Sequence, residues 1–373
     1  MSLQELVSVS RRYGADSEYV VAGGGNTSFK DAGTLYVKGS GTALATIEAA
    51  GFVRMDRSAL SAVWKKSYPQ NSSERESAVL ADLMAARLGG EEAKRPSVET
   101  LLHDILPFAF VVHTHPALVN GLTCSALGEA ATRVLFGEEA IWIPSTNPGY
   151  ILSKAVKDAM DAYAARRGAA PALIFLQNHG VFVAADTVAG IDAIYRRVME
   201  TLTARMVRKP DLSEHITEFG TSAAVAAELA GLARTAFGKD TRVAFLRNAE
   251  VARLTADRES FAPVSSAFTP DHIVYAGSDP LFVDERADIA AAWKEAAESK
   301  GRPPKTVALR GIGVFGIGNG EKAARLALEL FSDAAKVACY TEAFGGPRFM
   351  AKDQIDFINN WEVEQYRSKI STH

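Results

Sequence analysis

The spacing of apolar and polar positions changes several times along this chain, and each change marks an element. The opening stretch "MSLQELVSVSRRYG" carries apolar residues at helical spacing, which predicts a short amphipathic helix. A glycine-rich turn, "AGGGNTSFK", then leads to "TLYVKGSGTAL", a β-branched and aromatic run closing on a second Gly/Ser turn, so strands are expected there. Helical spacing returns over residues 73–89 and 97–106. "FAFVVHTH" and "ALIFLQNHGVFVA" are continuous apolar runs that read as buried strands, separated by the helical "ILSKAVKDAMDAYAARRG". A long helix, from about Val188 to Val207, leads into "RKPDLSEH", whose proline and charges mark a linker. Strand and helix signals resume from about residue 222. The pattern predicts an α/β fold: a mixed or antiparallel sheet flanked by helices over residues 1–210, then a second α/β lobe over 211–373.

The second lobe repeats part of the first. Adding 132 to each number places "PALVNGLT" (116–123) over "NAEVARLT" (248–255), with four of the eight residues identical. The same shift sets Pro148 on Pro280, and Ala155, Ala159, Ala164 and Ala165 on Ala287, Ala291, Ala296 and Ala297. After one inserted residue, Gly168, Pro171, Leu176 and "GVF" at 180–182 meet Gly301, Pro304, Leu309 and "GVF" at 313–315. Agreement in order and spacing over this length predicts an internal duplication of about 95 residues.

The repeat isolates three histidines. His113 and His115 lie two apart at the end of a strand, so their imidazoles share a face. His179 follows the next apolar strand and precedes a glycine that lets the backbone turn closely. Three neutral imidazoles make a divalent-metal site with an open position, suited to Lewis-acid catalysis. In the second copy these positions carry Phe245, Arg247 and Ile312, although the surrounding Gly, Pro, Leu and Thr are retained. Loss of the three as a set is what ligands of a single ion would show. Other H-x-H families fail on specific residues. A cupin wants a glutamate where Val119 and Asn120 stand, a metallo-β-lactamase continues H-x-H-x-D-H, and the later ligands of an amidohydrolase are missing.

Around that centre, Glu99 in "RPSVETLLH" sits on a helix opening after Pro96, with Ser97 placed to cap it, and is a candidate general base. His103, one turn on, is placed to pair with it. "GGGNTS" (23–28) and "VKGSG" (37–41) offer backbone N–H groups, hydroxyls and Lys38 to a phosphate or to sugar oxygens. Gly311, Gly313 and Gly316 match G-x-G-x-x-G, but the strand and acidic residue that a dinucleotide site needs do not follow, and Gly313 is the counterpart of Gly180.

Composition narrows the rest. With 47% hydrophobic and 23% charged residues the chain is an ordinary globular one, and a net charge of −3 gives no general affinity for nucleic acid. Cys124 and Cys339 are too few for a disulfide framework or a thiolate zinc site. The first helix lacks the apolar core of a signal peptide and no run is long enough to cross a membrane, so the cytoplasm is the expected location.

"GGGNTS", "VKGSG", "PSVETLLH", "VVHTHP" and "LQNHGVFVA", in this order, resemble class II aldolase/adducin domains over about residues 1–210. The remainder is similar to the second part of the aldolase half of bifunctional rhamnulose-1-phosphate aldolase/alcohol dehydrogenase proteins, without the dehydrogenase half. The resemblance implies a Zn2+ (or other divalent transition metal) site at His113, His115 and His179, with Glu99 as catalytic acid/base. It also implies phosphate contacts at Asn26, Gly39 and Ser97, beside Lys38 from the turn. The implied reaction is aldol cleavage of a ketose phosphate, rhamnulose-1-phosphate-like, to dihydroxyacetone phosphate and an aldehyde through an enediolate. An epimerase, a dehydratase or a non-catalytic adducin-like interaction module are the alternatives on the same fold. The implied partner is a small sugar phosphate, and the implied assembly is a homo-oligomer with a tyrosine contributed across subunits, for which no match is found here. Three departures stand out: Val98 replaces a serine, Lys38-Gly39 replaces Thr-Gly, and the Glu99–His113 segment is shorter than in the small aldolases.

Overall fold

The computed structural model describes residues 2–214 and 219–361. Two compact units emerge: residues 2–123 with 128–205, and 124–127 with 206–361, so the boundary lies slightly before the expected linker. His215, within "RKPDLSEH", falls outside the described residues.

The first unit runs α1 (Leu3–Ala15), β1 (Asn26–Lys30), β2 (Thr34–Lys38), β3 (Phe52–Asp56), α2 (Arg57–Val63), α3 (Ser72–Ala85), α4 (Thr100–Ile105), β4 (Phe110–Thr114) and α5 (Ala117–Thr123). It continues with α6 (Gly128–Phe136), β5 (Ala140–Ile143), α7 (Tyr150–Arg167), β6 (Leu173–Leu176), β7 (Gly180–Ala185) and α8 (Val188–Thr203). Its seven strands form one sheet in the order β3-β2-β1-β4-β7-β6-β5, antiparallel except for the β5–β6 pair. β4 and β6 are buried along their whole length, which explains their unbroken apolar runs. Val111, Ile174 and Phe182 pack on Leu152, Val156 and Met160 of α7 and on Leu102 of α4. Thr114, which alternates to the other face of β4, hydrogen-bonds Tyr195 of α8 at 2.8 Å.

The second unit contains α9 (Phe219–Phe237), β8 (Thr241–Leu246), α10 (Ala249–Leu254), α11 (Arg258–Phe261), β9 (Leu281–Val283), α12 (Ile289–Lys300), β10 (Thr306–Leu309), β11 (Gly313–Asn319), α13 (Glu321–Thr341) and α14 (Lys352–Asn360). Its sheet, β8-β11-β10-β9, has the order and strand directions of β4-β7-β6-β5. The register agrees as well. His113 faces Phe182 in the first sheet, and Phe245 faces Phe315 in the second. Leu176 pairs with Gly180, and Leu309 with Gly313. α7 and α12 both end on a left-handed glycine, Gly168 at φ 67° and Gly301 at φ 65°.

Several helices are shorter than their spacing suggests. The 73–89 helix stops at Ala85, and the helix expected to reach Val207 stops at Thr203. The one expected from residue 97 begins at Thr100, because residues 97–99 form a turn that Thr100 closes on the Ser97 carbonyl. No described helix is long and apolar enough to cross a membrane.

Candidate active site

His113 lies on β4, where its backbone is bracketed by Asn26 of β1 on one side and Phe182 of β7 on the other. Its ring stacks on Phe182 at 4.1 Å, and its Nδ1 lies 2.9 Å from the Val181 carbonyl. A carbonyl can only accept, so Nδ1 carries the hydrogen and donates it, leaving the Nε2 lone pair to face the site. His115 follows just past the strand end, its N–H donating to the Tyr19 carbonyl. His179 comes from the β6–β7 turn, where Asn178 takes a left-handed conformation (φ 57°) and donates its N–H to the Thr123 carbonyl.

The ligand-capable nitrogens of the three histidines all lie within 4.8 Å of one another. His113 Nε2 and His115 Nε2 are 2.9 Å apart. Burial holds His113 well below the ordinary histidine range, overriding the attraction of Glu99, so the ring is neutral and able to ligate.

Glu99 stands beside the triad. Its Oε1 is 3.5 Å from His113 Nε2 and 3.4 Å from His179 Nε2, is buried, and has no hydrogen-bond partner. Burial opposes its ionisation, but His113, His179, the Asn26 amide and His115 overcome this and hold the carboxyl at about 2. Such an orphaned carboxylate oxygen facing three imidazoles is the environment a divalent cation would satisfy.

Sequence reasoning placed His103 directly against Glu99. The structure inserts Asn26 between them. His103 Nε2 bonds Asn26 Oδ1, and its Nδ1 lies 2.7 Å from Ser28 Oγ. With its Oδ1 engaged by the imidazole, the Asn26 amide must turn its NH2 toward Glu99 Oε2, where it donates. His103 thus fixes the orientation of the group that holds the carboxylate. Its contact with Asn26 is not legible in the sequence because that partner comes from a distant strand, brought in by the Asn26–His113 pairing.

The candidate phosphate residues are contiguous but largely engaged within the protein. Ser97 Oγ accepts from Asn26 Nδ2 and from the Glu99 N–H, both at 3.2 Å. Its own N–H donates to the Lys38 carbonyl. Lys38 Nζ donates to the carbonyls of Gly23 (3.2 Å) and Gly25 (2.9 Å), bracing the glycine turn. The Gly39 N–H donates to the Gly51 carbonyl.

Gly180 is required by packing. A Cβ there would stand 2.5 Å from the Thr114 carbonyl oxygen and 2.6 Å from His115 Cδ2. Gly180→Ala is therefore expected to destabilise the fold by about 1–3 kcal/mol and to displace His115. Denaturant unfolding and metal titration of that variant would check both effects.

Acid is expected to act on this cluster in one direction. Burial drives the His103 ring down to about 3, outweighing the pull of Glu99, so below the ordinary histidine value the unfolded chain binds a proton that the folded one refuses. Glu99, held at about 2, contributes stability above the ordinary carboxylate value that is lost as pH falls toward 2. The His103 contribution makes stability decline from about pH 6.5 downward and the Glu99 contribution adds to the decline below about pH 4.5, as denaturation of chelator-treated protein at pH 7, 5.5 and 4 would show. In a His103→Asn variant the decline between pH 6.5 and 4.5 should be shallower.

Residues 4–207 match the family described as Class II Aldolase and Adducin N-terminal domain. A curated relative, "Uncharacterized oxidoreductase YuxG" of Bacillus subtilis (strain 168), is 23% identical over 412 residues, covering 98% of this chain and 58% of the relative. The chain thus spans little more than half the length of that protein. Among solved structures, the N-terminal class II aldolase domain of a conserved protein from Thermoplasma acidophilum is 30% identical, covering 54% of this chain and 91% of its own, with a TM-score of 0.45. An L-fuculose 1-phosphate aldolase is 17% identical, covering 54% of this chain and 83% of its own, with a TM-score of 0.37.

Proposed function

From the premise that this chain belongs to the class II aldolase and adducin family, we propose that it is a zinc-dependent aldolase cleaving a ketose phosphate, rhamnulose-1-phosphate-like, to dihydroxyacetone phosphate and an aldehyde. The observation that carries this reading is the buried Glu99 Oε1, without a hydrogen-bond partner, 3.5 Å from His113 Nε2 and 3.4 Å from His179 Nε2 in the cluster that His115 completes. A divalent cation held by the three imidazoles would withdraw electrons from the substrate's carbonyl and adjacent hydroxyl oxygens.

The chain's own groups then divide the remaining work. Glu99 is ionised at neutral pH, the form that accepts a proton. In the condensation direction it takes the proton from the carbon next to the carbonyl; in cleavage it returns that proton to the enediolate carbon. Asn26 holds the second carboxylate oxygen, and His103 and Ser28 behind it keep the base aimed. Ser97, Asn26, Lys38 and Gly39 would line the phosphate end, where a phosphate gains hydrogen bonds only in exchange for the protein partners that Asn26, Lys38 and Gly39 now hold.

The second unit, in this reading, is a copy of the β4–α8 portion that has lost its metal. Its matching strand order and register support that view, as does the chemistry at the former ligand positions. Arg247, counterpart of His115, donates to the carbonyls of Gly311 and Ile312, and Phe245, counterpart of His113, packs on Phe315.

The test is a coupled assay for aldehyde release with purified, zinc-loaded protein across ketose 1-phosphates. Zinc-dependent release of dihydroxyacetone phosphate and an aldehyde is expected. Loss of water or inversion at a hydroxyl carbon, with no C–C cleavage, would replace the aldolase by a dehydratase or an epimerase.

A further inference from the structure

The second unit carries a cleft of its own. A cleft of about 940 Å³ opens there, of the size that small-molecule sites have, lined by Arg258, Lys300, Arg302 and Lys305 and by the rings of Phe261 and Phe282. The loop that supplies two of these cations has a counterpart in the first unit. With the offset of 133 that aligns Gly168 with Gly301, "GAAPA" (168–172) corresponds to "GRPPK" (301–305). Arg302 and Lys305 therefore stand where the first unit has Ala169 and Ala172. The copy without the three histidines carries two extra cations at one place, and both face the same cleft.

Their partners leave part of this charge unanswered. Arg258 is paired with Asp284 at 2.7 Å, and Lys300 with Asp279 at 2.8 Å. Arg302 reaches Asp356 only through Nη2, at 3.3 Å, and its Nε is buried without any hydrogen-bond partner. Lys305 Nζ donates to the Val274 carbonyl at 2.6 Å, and no carboxylate pairs with it among the described residues. A buried N–H without an acceptor costs about 1–3 kcal/mol, and an ammonium facing a carbonyl keeps two further hydrogens to donate. An anionic group held in the cleft that both residues line would answer this charge. Beside it, the Phe261 and Phe282 rings lie 5.0 Å apart, and the Arg258 guanidinium sits 5.5 Å above the Phe282 ring, forming an apolar shelf for the rest of a ligand.

We infer that this cleft is a binding site for a small organic anion, its phosphate or carboxylate head on Arg302 and Lys305 and its apolar body on Phe261 and Phe282. It uses none of the three histidines, and its test does not depend on the aldolase reading.

The experiment is a fluorescence titration of the full chain with 1-naphthyl phosphate, beside 1-naphthol and inorganic phosphate. Saturable binding of naphthyl phosphate is expected, with 1-naphthol and phosphate each at least tenfold weaker. Arg302→Ala/Lys305→Ala, which installs the residues found at 169 and 172, should weaken binding at least tenfold, and Arg302→Gln alone several-fold, with circular dichroism reporting that each variant is folded. His113→Ala/His179→Ala should bind as the parent does. Unchanged binding in the cation variants, loss of binding in the histidine variant, or no saturable binding at all would each overturn the inference.

Discussion

Glu99→Gln is expected to lower turnover of the cleaved ketose phosphate by about 10²–10⁴-fold while leaving metal content unchanged. The substitution keeps the shape and the contact with Asn26 but removes the carboxylate that stands beside His113 and His179. A glutamine cannot take or return the carbon-bound proton, so the loss should fall on kcat rather than KM. Solvent deuterium exchange into dihydroxyacetone phosphate, which reports proton transfer without C–C bond making, should fall by the same factor. A variant that keeps exchange at the parent rate would remove Glu99 from the role of base. His103→Asn, acting only through Asn26, should cost less and move kcat without abolishing exchange.

Removing one imidazole should have a comparably large effect. Chelator treatment is expected to lower activity by about 10³-fold, corresponding to about 4 kcal/mol of transition-state stabilisation at 1.36 kcal/mol per tenfold, and added zinc should restore it. His179→Ala leaves two imidazoles, too few for a tight site, and should not be restored at the same zinc concentration. His179 is the most informative of the three, because it comes from a turn and not from β4, so its loss leaves the strand's own packing intact. Full activity in zinc-replete His179→Ala would mean that the metal, if needed, is held elsewhere.

The gathering of His113, His115 and His179 was legible from the chain alone. Two histidines at strand spacing and a third before a glycine are local signals, and local signals survive folding. The likeness between the two units was legible for the same reason: Gly180 and Gly313 stand at matching places because a backbone carbonyl approaches each closely, Thr114 in the first unit and Leu246 in the second. Asn178 and Gly311 both adopt left-handed turns, at φ 57° and 68°. What could not be read was anything depending on contact between distant segments. His103 and Glu99 are four apart on what looked like one helix, which suggested a direct pair. The helix starts at Thr100 and the antiparallel pairing of β1 with β4 delivers Asn26 between them. The phosphate candidates, taken from the resemblance, lie together, yet the Asn26 amide, Lys38 and the Gly39 N–H already hold protein partners. The cationic cleft was equally hidden, since "GRPPK" reads as an ordinary loop until Arg302 and Lys305 are seen to face one space.

The proposed duplication also fails locally, in a way that has a physical reading. The offset of 132 carries β5 onto residues 272–275, but the segment from His272 to Ala276 forms a π-helix, and the strand equivalent to β5 arrives later, at Leu281–Val283. The buried His272, held by Thr269 at 2.9 Å and by Asp333 of α13 at 3.1 Å, ties that helical turn down. The rearranged turn supplies Val274, whose carbonyl receives Lys305. Local divergence from the first copy and the new cleft thus occur in the same part of the second unit.

The most direct test is metal content by mass spectrometry on the purified full chain beside His113→Ala/His179→Ala. One zinc or similar divalent ion per chain, absent from the variant, is the predicted result, with a single metal centre in the first unit and none in the second. No bound metal after reloading the parent, or the same stoichiometry in the double variant, would contradict it.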